Sequence, residues 1–498
     1  MSNSLSASTE GLAIVDKARQ RRGWTKTSTA RWWQDAHTSR ATLRRFWQGD
    51  RIQRDIFIAI CQAVGISNWE AIANSSNLNF EPIPEKNIPD LDWNEAPDVE
   101  SFYGRDRQLE QLEQWIITNR CKLIAIVGIA GIGKTALALA LADRIQSKFD
   151  RSIWRSLQSS PSPISLLDSI LNAIAPTVVG DVQQGIAQLL HHLQQRPYLL
   201  ILDGLEAVLS KKEYAAEYHQ LLDKLSRDRH QSCILITSCE QPKSIGIDTK
   251  TVRCLNLQGL PKPDAVELLR SRGFTGKELG LSALIQLYRG NPLAIKLVTP
   301  LIQSVFGGNI AAFLNQNTLV ISERLQTILK QQCEQLSDLE REILYWLAIW
   351  QEPVSFCRLQ THFLISVDPA AVLAAIANLD RRSLLEKWFN AEESSFTLQP
   401  LVMKIVTDEL VERAALEIDR AVQSNDIRHF KILRTHWLVR PGTDDIAGDR
   451  ILNQLRERLW RVHGATLPES LRQILLLLGD RSPLAIGYIG CNIMALLL

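Results

Sequence analysis

Between Leu123 and Thr237 the chain alternates short, largely apolar runs with longer stretches in which apolar residues return every three or four positions. The runs are Leu123–Val127, Ser152–Leu157, Tyr198–Leu202 and Cys233–Thr237. An apolar run of five or six residues without polar alternation fits a strand covered on both faces, as in a parallel sheet flanked by helices. The segment from Phe102 to about Asp248 is therefore predicted as an α/β doubly wound domain with a parallel sheet. Beyond about residue 259 the period is almost wholly helical, with late stripes at Leu452, Leu455, Leu459 and at Leu471, Leu475, Leu478. Ahead of the α/β pattern, residues 27–66 place Ala30, Trp33, Leu43, Phe46, Ile56, Ile60 and Val64 at helical spacing. Three short helices fit there, with Thr38 or Ser39 capping the second. Pro82, Pro84, Pro89 and Pro97 lie among Asn and Asp within residues 75–98, which predicts an extended linker.

Composition changes this picture little. A chain of 498 residues exceeds one ordinary core and suggests several domains. The net charge of +2 names no partner, but residues 1–60 hold eleven Lys/Arg against five Asp/Glu. The eight cysteines contain no CxxC pair, so neither a zinc ribbon nor a redox motif is indicated. The polar start and the lack of an apolar run of roughly 18 residues predict no signal peptide and no membrane span. The apolar end, Pro483–Leu498, is short and broken by Asn492. These features together predict a reduced, cytoplasmic protein.

The run Leu123–Val127 leads into Gly128-Ile-Ala-Gly-Ile-Gly-Lys-Thr135 and then into a helix expected over Ala136–Phe149. This is the GxxxxGK[ST] pattern in its strand–loop–helix setting, a P-loop. Gly128, Gly131 and Gly133 let the backbone curl so that the N–H groups of the loop, including those at Ala130, Ile132 and Ala136, face a phosphate chain. The following helix turns its positive end to the same anion. Lys134 brings a cation to the β- and γ-phosphates, and the Thr135 hydroxyl is a hard ligand for Mg²⁺. About 70 residues downstream, Tyr198–Asp203 is an apolar strand ending in a carboxylate, suited to hold Mg²⁺ through its water shell. The candidate catalytic set is Lys134, Asp203 and Glu206, with Glu206 the nearest group able to orient water. An ordinary helix-start acid is the alternative for Glu206. No guanine-reading NKxD motif is present, which favours adenine.

Several motifs in order resemble the NB-ARC class of STAND signal-transduction ATPases, cyanobacterial members above all. They are Phe102-Tyr-Gly-Arg105, the P-loop, Leu199–Asp203, Leu257–Leu260 with Ala265–Leu269, Gly290-Asn-Pro-Leu-Ala294, and Leu336–Leu344. The resemblance implies that Arg105 approaches the adenine and Pro292 packs on the base. It implies a helical subdomain over 251–330 and a winged helix over 331–410, after a nucleotide-binding domain at 99–250. An N-terminal helix-turn-helix-like α domain at 1–74, the linker 75–98 and a C-terminal helical region at 411–498 complete the division. A nucleotide-dependent homo-oligomer and a protein partner are implied, with ADP and ATP as alternating ligands. ADP is expected to hold the domains closed and ATP to loosen the winged helix. Three positions depart from the family pattern: Cys239 stands where an Arg ends the sensor strand, Gly204 replaces an acid after Asp203, and Gln399 stands where a His meets the β-phosphate. Binding with slow hydrolysis at most is therefore the expectation, since no γ-phosphate-sensing cation is visible on that strand. No second-substrate site for a kinase is visible either.

The basic N-terminal segment resembles a repressor-type helix-turn-helix, with Ser39–Trp47 as recognition helix and Arg40 and Arg44 facing outward to DNA. His37 occupies the turn, where Gly is usual. Two readings stay open: a nucleotide-modulated DNA-binding regulator, and a helical protein-interaction module with a solvated basic face. Trp24, Trp32, Trp33 and Trp47 are assigned to its core.

Overall fold

The computed structural model describes residues 4–26, 29–36, 38–66, 69–73, 90–99, 102–245, 249–316, 319–389, 393–439, 450–479 and 481–498. His37 and most of the proline-bearing linker lie outside the described residues. The chain forms two units, Met1–Ile88 and Pro89–Leu498.

The first unit contains β1 (Ser4–Leu5), α1 (Thr9–Arg21), α2 (Ala30–Asp35), α3 (Arg40–Gln48), β2 (Ile52–Gln53) and α4 (Arg54–Ala63). Ser8 and Ser39 cap α1 and α3 by accepting the N–H of Gly11 and Thr42. Val15, Trp32, Leu43, Phe57 and Ile60 are completely buried, and the Trp32 indole N–H donates to the Ile60 carbonyl. Beside the helices, β1 pairs antiparallel with β2 over two residues. The left-handed Gly49 ends α3 and releases the chain into an extended stretch. Two residues are too few to leave a period in the sequence.

The second unit is built on a parallel sheet in the order β3-β5-β6-β7-β4-β8. Its strands are β3 (Asp90–Asp92), β4 (Leu123–Val127), β5 (Arg151–Ser156), β6 (Tyr198–Asp203), β7 (Cys233–Ser238) and β8 (Val252–Asn256). The helices between them are α5 (Asp106–Glu113), α6 (Lys134–Ile145), α7 (Pro163–Ile174), α8 (Val182–Gln195), α9 (Glu206–Leu209) and α10 (Ala215–Arg227). Alternate residues of β4 enter separate cores: Ile124 and Ile126 on one face, Leu123 and Ala125 on the other. That two-sided cover is why the strand reads as unbroken apolar sequence. The register pairs Val127 with Ser238 and Asp203 with Thr237, so the carboxyl ends of β4, β6 and β7 share one edge. Ligands of open α/β sheets sit beyond that edge.

Helices α11 (Lys262–Arg270), α12 (Leu281–Leu287), α13 (Pro292–Phe306), α14 (Ile310–Leu314) and α15 (Glu323–Glu334) follow. Next come α16 (Asp338–Trp350), β9 (Val354–Ser355), α17 (Phe356–Gln360), α18 (Pro369–Arg381), β10 (Leu385–Phe389) and β11 (Ser394–Leu398). The strands form an antiparallel sheet in the order β10-β11-β9 in the stretch where a winged helix is expected. Ser337 and Glu340 start α16 with a reciprocal capping box. The chain ends in α19 (Pro400–Ser424), α20 (Ile432–Thr435), α21 (Arg450–His463), α22 (Leu467–Leu476), α23 (Pro483–Ile486) and α24 (Ile489–Leu497). Asn492 does not break the last helix. It is buried, accepts from Leu438 N–H and donates to the Leu433 and His436 carbonyls, tying α24 to α20. Among the described residues no helix is long and apolar enough to cross a membrane.

Five boundaries differ from the expected ones. Asp90–Asp92, inside the expected linker, is an edge strand of the sheet. Asp92 accepts a 2.6 Å ion pair from buried Arg155, which also donates to the hydroxyl and carbonyl of Ser169. Strand β8 carries the sheet past residue 250, because Val252–Asn256 pairs along all of β4. The limits at 330/331 and 410/411 fall inside α15 and α19, each a continuous helix. The P-loop helix begins at Lys134 and ends at Ile145, followed by one tighter turn, Gln146–Lys148.

Candidate functional site

The P-loop leaves β4 and curls back on itself through Gly131 (φ 77°) and Gly133 (φ 101°), both left-handed. An L side chain at either position would be strained, and at Gly131 it would also meet the Leu293 Cβ at 2.8 Å. Three successive carbonyls of the loop are tied outward. Ala130 accepts from the Asn291 amide at 3.0 Å, Gly131 from the Leu293 N–H at 3.2 Å, and Ile132 from the Arg105 guanidinium at 3.1 Å. In a trans peptide the carbonyl and the next N–H point in opposite directions. The N–H groups of Gly131 and Gly133 are therefore turned away from those anchors, toward the concavity. Gly133 stands at the N-terminus of α6 with no side chain capping the first turn, and Ala136 follows within that turn.

Asn291 caps α13 by accepting the Ala294 N–H, so one side chain both starts that helix and holds the loop. Sequence reading selects Pro292 from this motif and passes over its neighbour. Asn directly before a proline at a helix start is the available signal. Pro292 itself lies beside Gly133. Arg105 is 5% exposed, adopts a left-handed conformation (φ 79°) ahead of α5, and burial lowers its pKa to about 10 despite nearby Asp264.

Lys134 is buried. Its ammonium donates to the carbonyls of Gly128 (2.9 Å) and Ile129 (3.2 Å) and to the Cys239 Sγ (3.2 Å). Burial alone would lower its pKa, but surrounding negative groups outweigh that and the net direction is upward. Burial pushes the Cys239 thiol up to about 12, so it is neutral at pH 7 and the working counter-charges are Glu206 and Asp203. The Cys239 N–H and thiol both donate to the Glu206 carboxylate, at 3.0 and 3.2 Å. Asp203 accepts the hydroxyls of Thr135 (2.7 Å) and Thr237 (2.6 Å) on one oxygen. Burial moves its pKa upward against those two hydrogen bonds. Thr237, at the end of β7, also fixes the turn after Asp203 by accepting the Gly204 N–H.

These residues fit a nucleoside triphosphate with Mg²⁺. The loop offers inward N–H groups and a buried ammonium for the phosphates. The Thr135 hydroxyl and Asp203 form the sparse oxygen set that Mg²⁺ takes when phosphates and water complete its shell. When bound, the metal would supply charge neutralisation between the phosphates.

Two clefts flank the loop. One, of about 590 Å³, is lined by Ile129, Leu257, Arg289, Glu386, Lys387 and Gln399. Gln399 opens α19 without capping it through its side chain. The other, of about 610 Å³, is lined by Gly204, Glu206, Cys239, Glu240, Gln332 and Arg382. Arg382, just past α18, thus brings a cation to this wall. Its neighbour is joined to the segment that follows β7 by reciprocal bonds: Gln241 N–H donates to the Arg381 carbonyl and the Arg381 guanidinium to the Gln241 carbonyl. Arg40 and Arg44 belong to the first unit and are exposed on α3.

Fold and loop together define a P-loop NTPase module. Residues 122–274 match the NACHT domain family, and the module is of the NACHT and NB-ARC kind, a STAND-class NTPase. The chain is 31% identical over 576 residues to an uncharacterised WD repeat-containing protein of Nostoc, covering 99% of this chain and 45% of the relative. It is 27% identical over 264 residues to the disease resistance-like protein DSC1 of Arabidopsis thaliana, covering 47% of this chain and 21% of that protein. The chain thus spans about half the length of the first relative and less of the second. A STAND protein with a tetratricopeptide repeat sensor from Pyrococcus horikoshii covers 81% of this chain and 56% of its own at 19% identity and a TM-score of 0.31. At that score the likeness carries no weight.

Proposed function

We propose that this chain is an adenine-nucleotide switch in which ADP holds the α/β domain, helical subdomain and winged helix together and exchange for ATP with Mg²⁺ releases the winged helix. Released chains would self-associate and engage a protein partner. The observation that carries the reading is the tying of the P-loop to its surroundings. Asn291 and Leu293 bind it from the helical subdomain, and Arg381 of the winged helix is bonded to Gln241, two residues past the Cys239 that contacts Lys134. A ligand that alters the loop and the strand ends therefore alters both docking surfaces, and it shifts the balance by its differential affinity for the two states. Hydrolysis would be slow. Both carboxylate oxygens of Glu206 already accept from Cys239, so neither is free to orient water without giving up a bond. The test is light scattering and small-angle scattering of the purified chain with ADP and with a non-hydrolysable ATP analogue. A larger radius or mass with the analogue is expected; identical mass and shape in both would remove the switch.

A second reading rests on α3. Arg40, Arg44 and Gln48 are exposed at successive i, i+4 positions, which suits a surface that follows a phosphate backbone. Fluorescence titration with duplex DNA at several salt concentrations tests it. Binding weakened by Arg40→Ala and Arg44→Ala, with a shallower salt slope, is expected. A slope unchanged by those substitutions removes this surface from nucleic-acid recognition.

A further inference from the structure

We infer that Arg382 is the residue by which this site tells a triphosphate from a diphosphate, exchanging its partner Glu240 for the γ-phosphate. The inference rests on the nucleotide reading above and concerns the step before release: as Arg382 turns to the γ-phosphate, its tie to Glu240 is given up.

Strand β7 ends beside the P-loop lysine, since Cys239 Sγ is 3.2 Å from Lys134 Nζ. Lys134 is the group that serves the β- and γ-phosphates in a P-loop. The next residue, Glu240, holds Arg382 through one contact of 3.5 Å. Both line the cleft that opens beside Gly204, Glu206 and Cys239. Its lining holds the carboxylates Glu206, Glu240 and Glu334 and the thiol Cys239. Arg382 is the one Lys or Arg among its lining residues besides Lys211.

The guanidinium is poorly satisfied where it stands. Its Nε is buried without a hydrogen-bond partner among the described residues, and its ion pair is long and single. A guanidinium gains most from two parallel bonds to one oxyanion, and a terminal phosphate presents that geometry. The backbone of Arg382 is fixed, because its N–H caps α18 on the carbonyls of Asn378 and Asp380. Only the side chain has to move. A third phosphate would bring further negative charge beside Glu206 and Glu240, which this cation would offset together with Lys134; a diphosphate brings none there.

The experiment titrates the full chain with fluorescent ADP and with a fluorescent non-hydrolysable ATP analogue in Mg²⁺. Arg382→Gln is expected to weaken the analogue about tenfold or more and to leave ADP within about twofold. Glu240→Gln, which frees the arginine, is expected to tighten the analogue severalfold, and this gain is expected to vanish in the double variant. Arg382→Lys keeps the charge but not the fork and is expected to fall between; its retained ADP binding also reports an intact fold. An unchanged ratio of the two affinities in Arg382→Gln, or a gain from Glu240→Gln that survives without Arg382, overturns the inference. If the unsubstituted chain binds neither nucleotide, the nucleotide reading itself falls, and the inference with it.

Discussion

At the residue scale the site is governed by two buried charges of opposite sign and the small groups between them. Lys134 cannot be solvated by water where it lies, so the carbonyls of Gly128 and Ile129 and the Cys239 sulfur satisfy it. Its charge is balanced by Glu206 and Asp203. Lys134→Ala removes the charge-assisted contact to the phosphates and is expected to weaken any nucleotide by about 100-fold, measured by calorimetric titration. Retained tight binding would refute a phosphate role for the loop. A second residue sets a pH limit on stability. His436 is 2% exposed, packs against Trp346 with ring centroids 4.9 Å apart, and donates to the Glu342 carbonyl. Burial lowers its pKa from 6.5 to about 4. The unfolded chain therefore takes up a proton as pH falls below about 6.5 while the folded chain does not until about pH 4. The stability that neutral His436 provides is complete above about pH 6.5 and is lost downward through that window, about 2 kcal/mol of it by about pH 5. Urea unfolding at about pH 7.5 and about pH 5 should show this fall in the parent chain and a smaller one in His436→Gln.

At the element scale, the start of α13 and the length of α19 matter most. Asn291 serves its own helix and the P-loop together, so Asn291→Ala is expected to cost about 2 kcal/mol, about half for the cap and half for the Ala130 bond. Its nucleotide affinity should fall along with its melting temperature. The substitution Asn291→Asp, which keeps the cap but not the donor, should recover stability more than affinity. Helix α19 buries Leu401, Ile405, Leu410, Ala414, Ile418 and Ala421 along one length. Ala414→Pro, in its middle, would remove a backbone bond and clash with the preceding turn at about 3 kcal/mol or more, read as a loss of cooperative melting. The elements differ in how plainly the sequence announces them. Strands β4, β6 and β7 are covered on both sides and appear as apolar runs; the P-loop is a contiguous motif. Strand β3 is three residues with Asp at each end, held by Arg155 from 63 positions away, so no local pattern marks it. The seam at 410 falls in the wrong place because α19 keeps one unbroken helical period across it. Arg382 is invisible to sequence reading for a related reason: it is far along the chain from Glu240, and only the packing of the end of α18 against the segment after β7 unites them.

At the scale of the whole molecule the first unit stands on its own core. Every residue of that cluster, from Leu5 to Ala73, lies within the first 73 positions. Residues 1–74 alone are therefore expected to show helical circular dichroism and a cooperative thermal transition. A featureless melt would mean that this core needs the rest of the chain. A unit of this size is only marginally stable in general, but its tryptophan cluster, with Trp32 at 5.9 Å from Trp24 and 5.7 Å from Trp47, gives it more apolar contact than its length suggests.

The uninterrupted α19 has a mechanical consequence. Its 25 residues make a rod about 37 Å long. Its first turn belongs to the winged helix and its later turns carry α21 and α22. A tilt of about 10° at the nucleotide end would sweep the far end through about 6 Å. If nucleotide exchange releases the segment around Arg382 as proposed, a small tilt there would reach the last helices as a displacement the size of a helix radius.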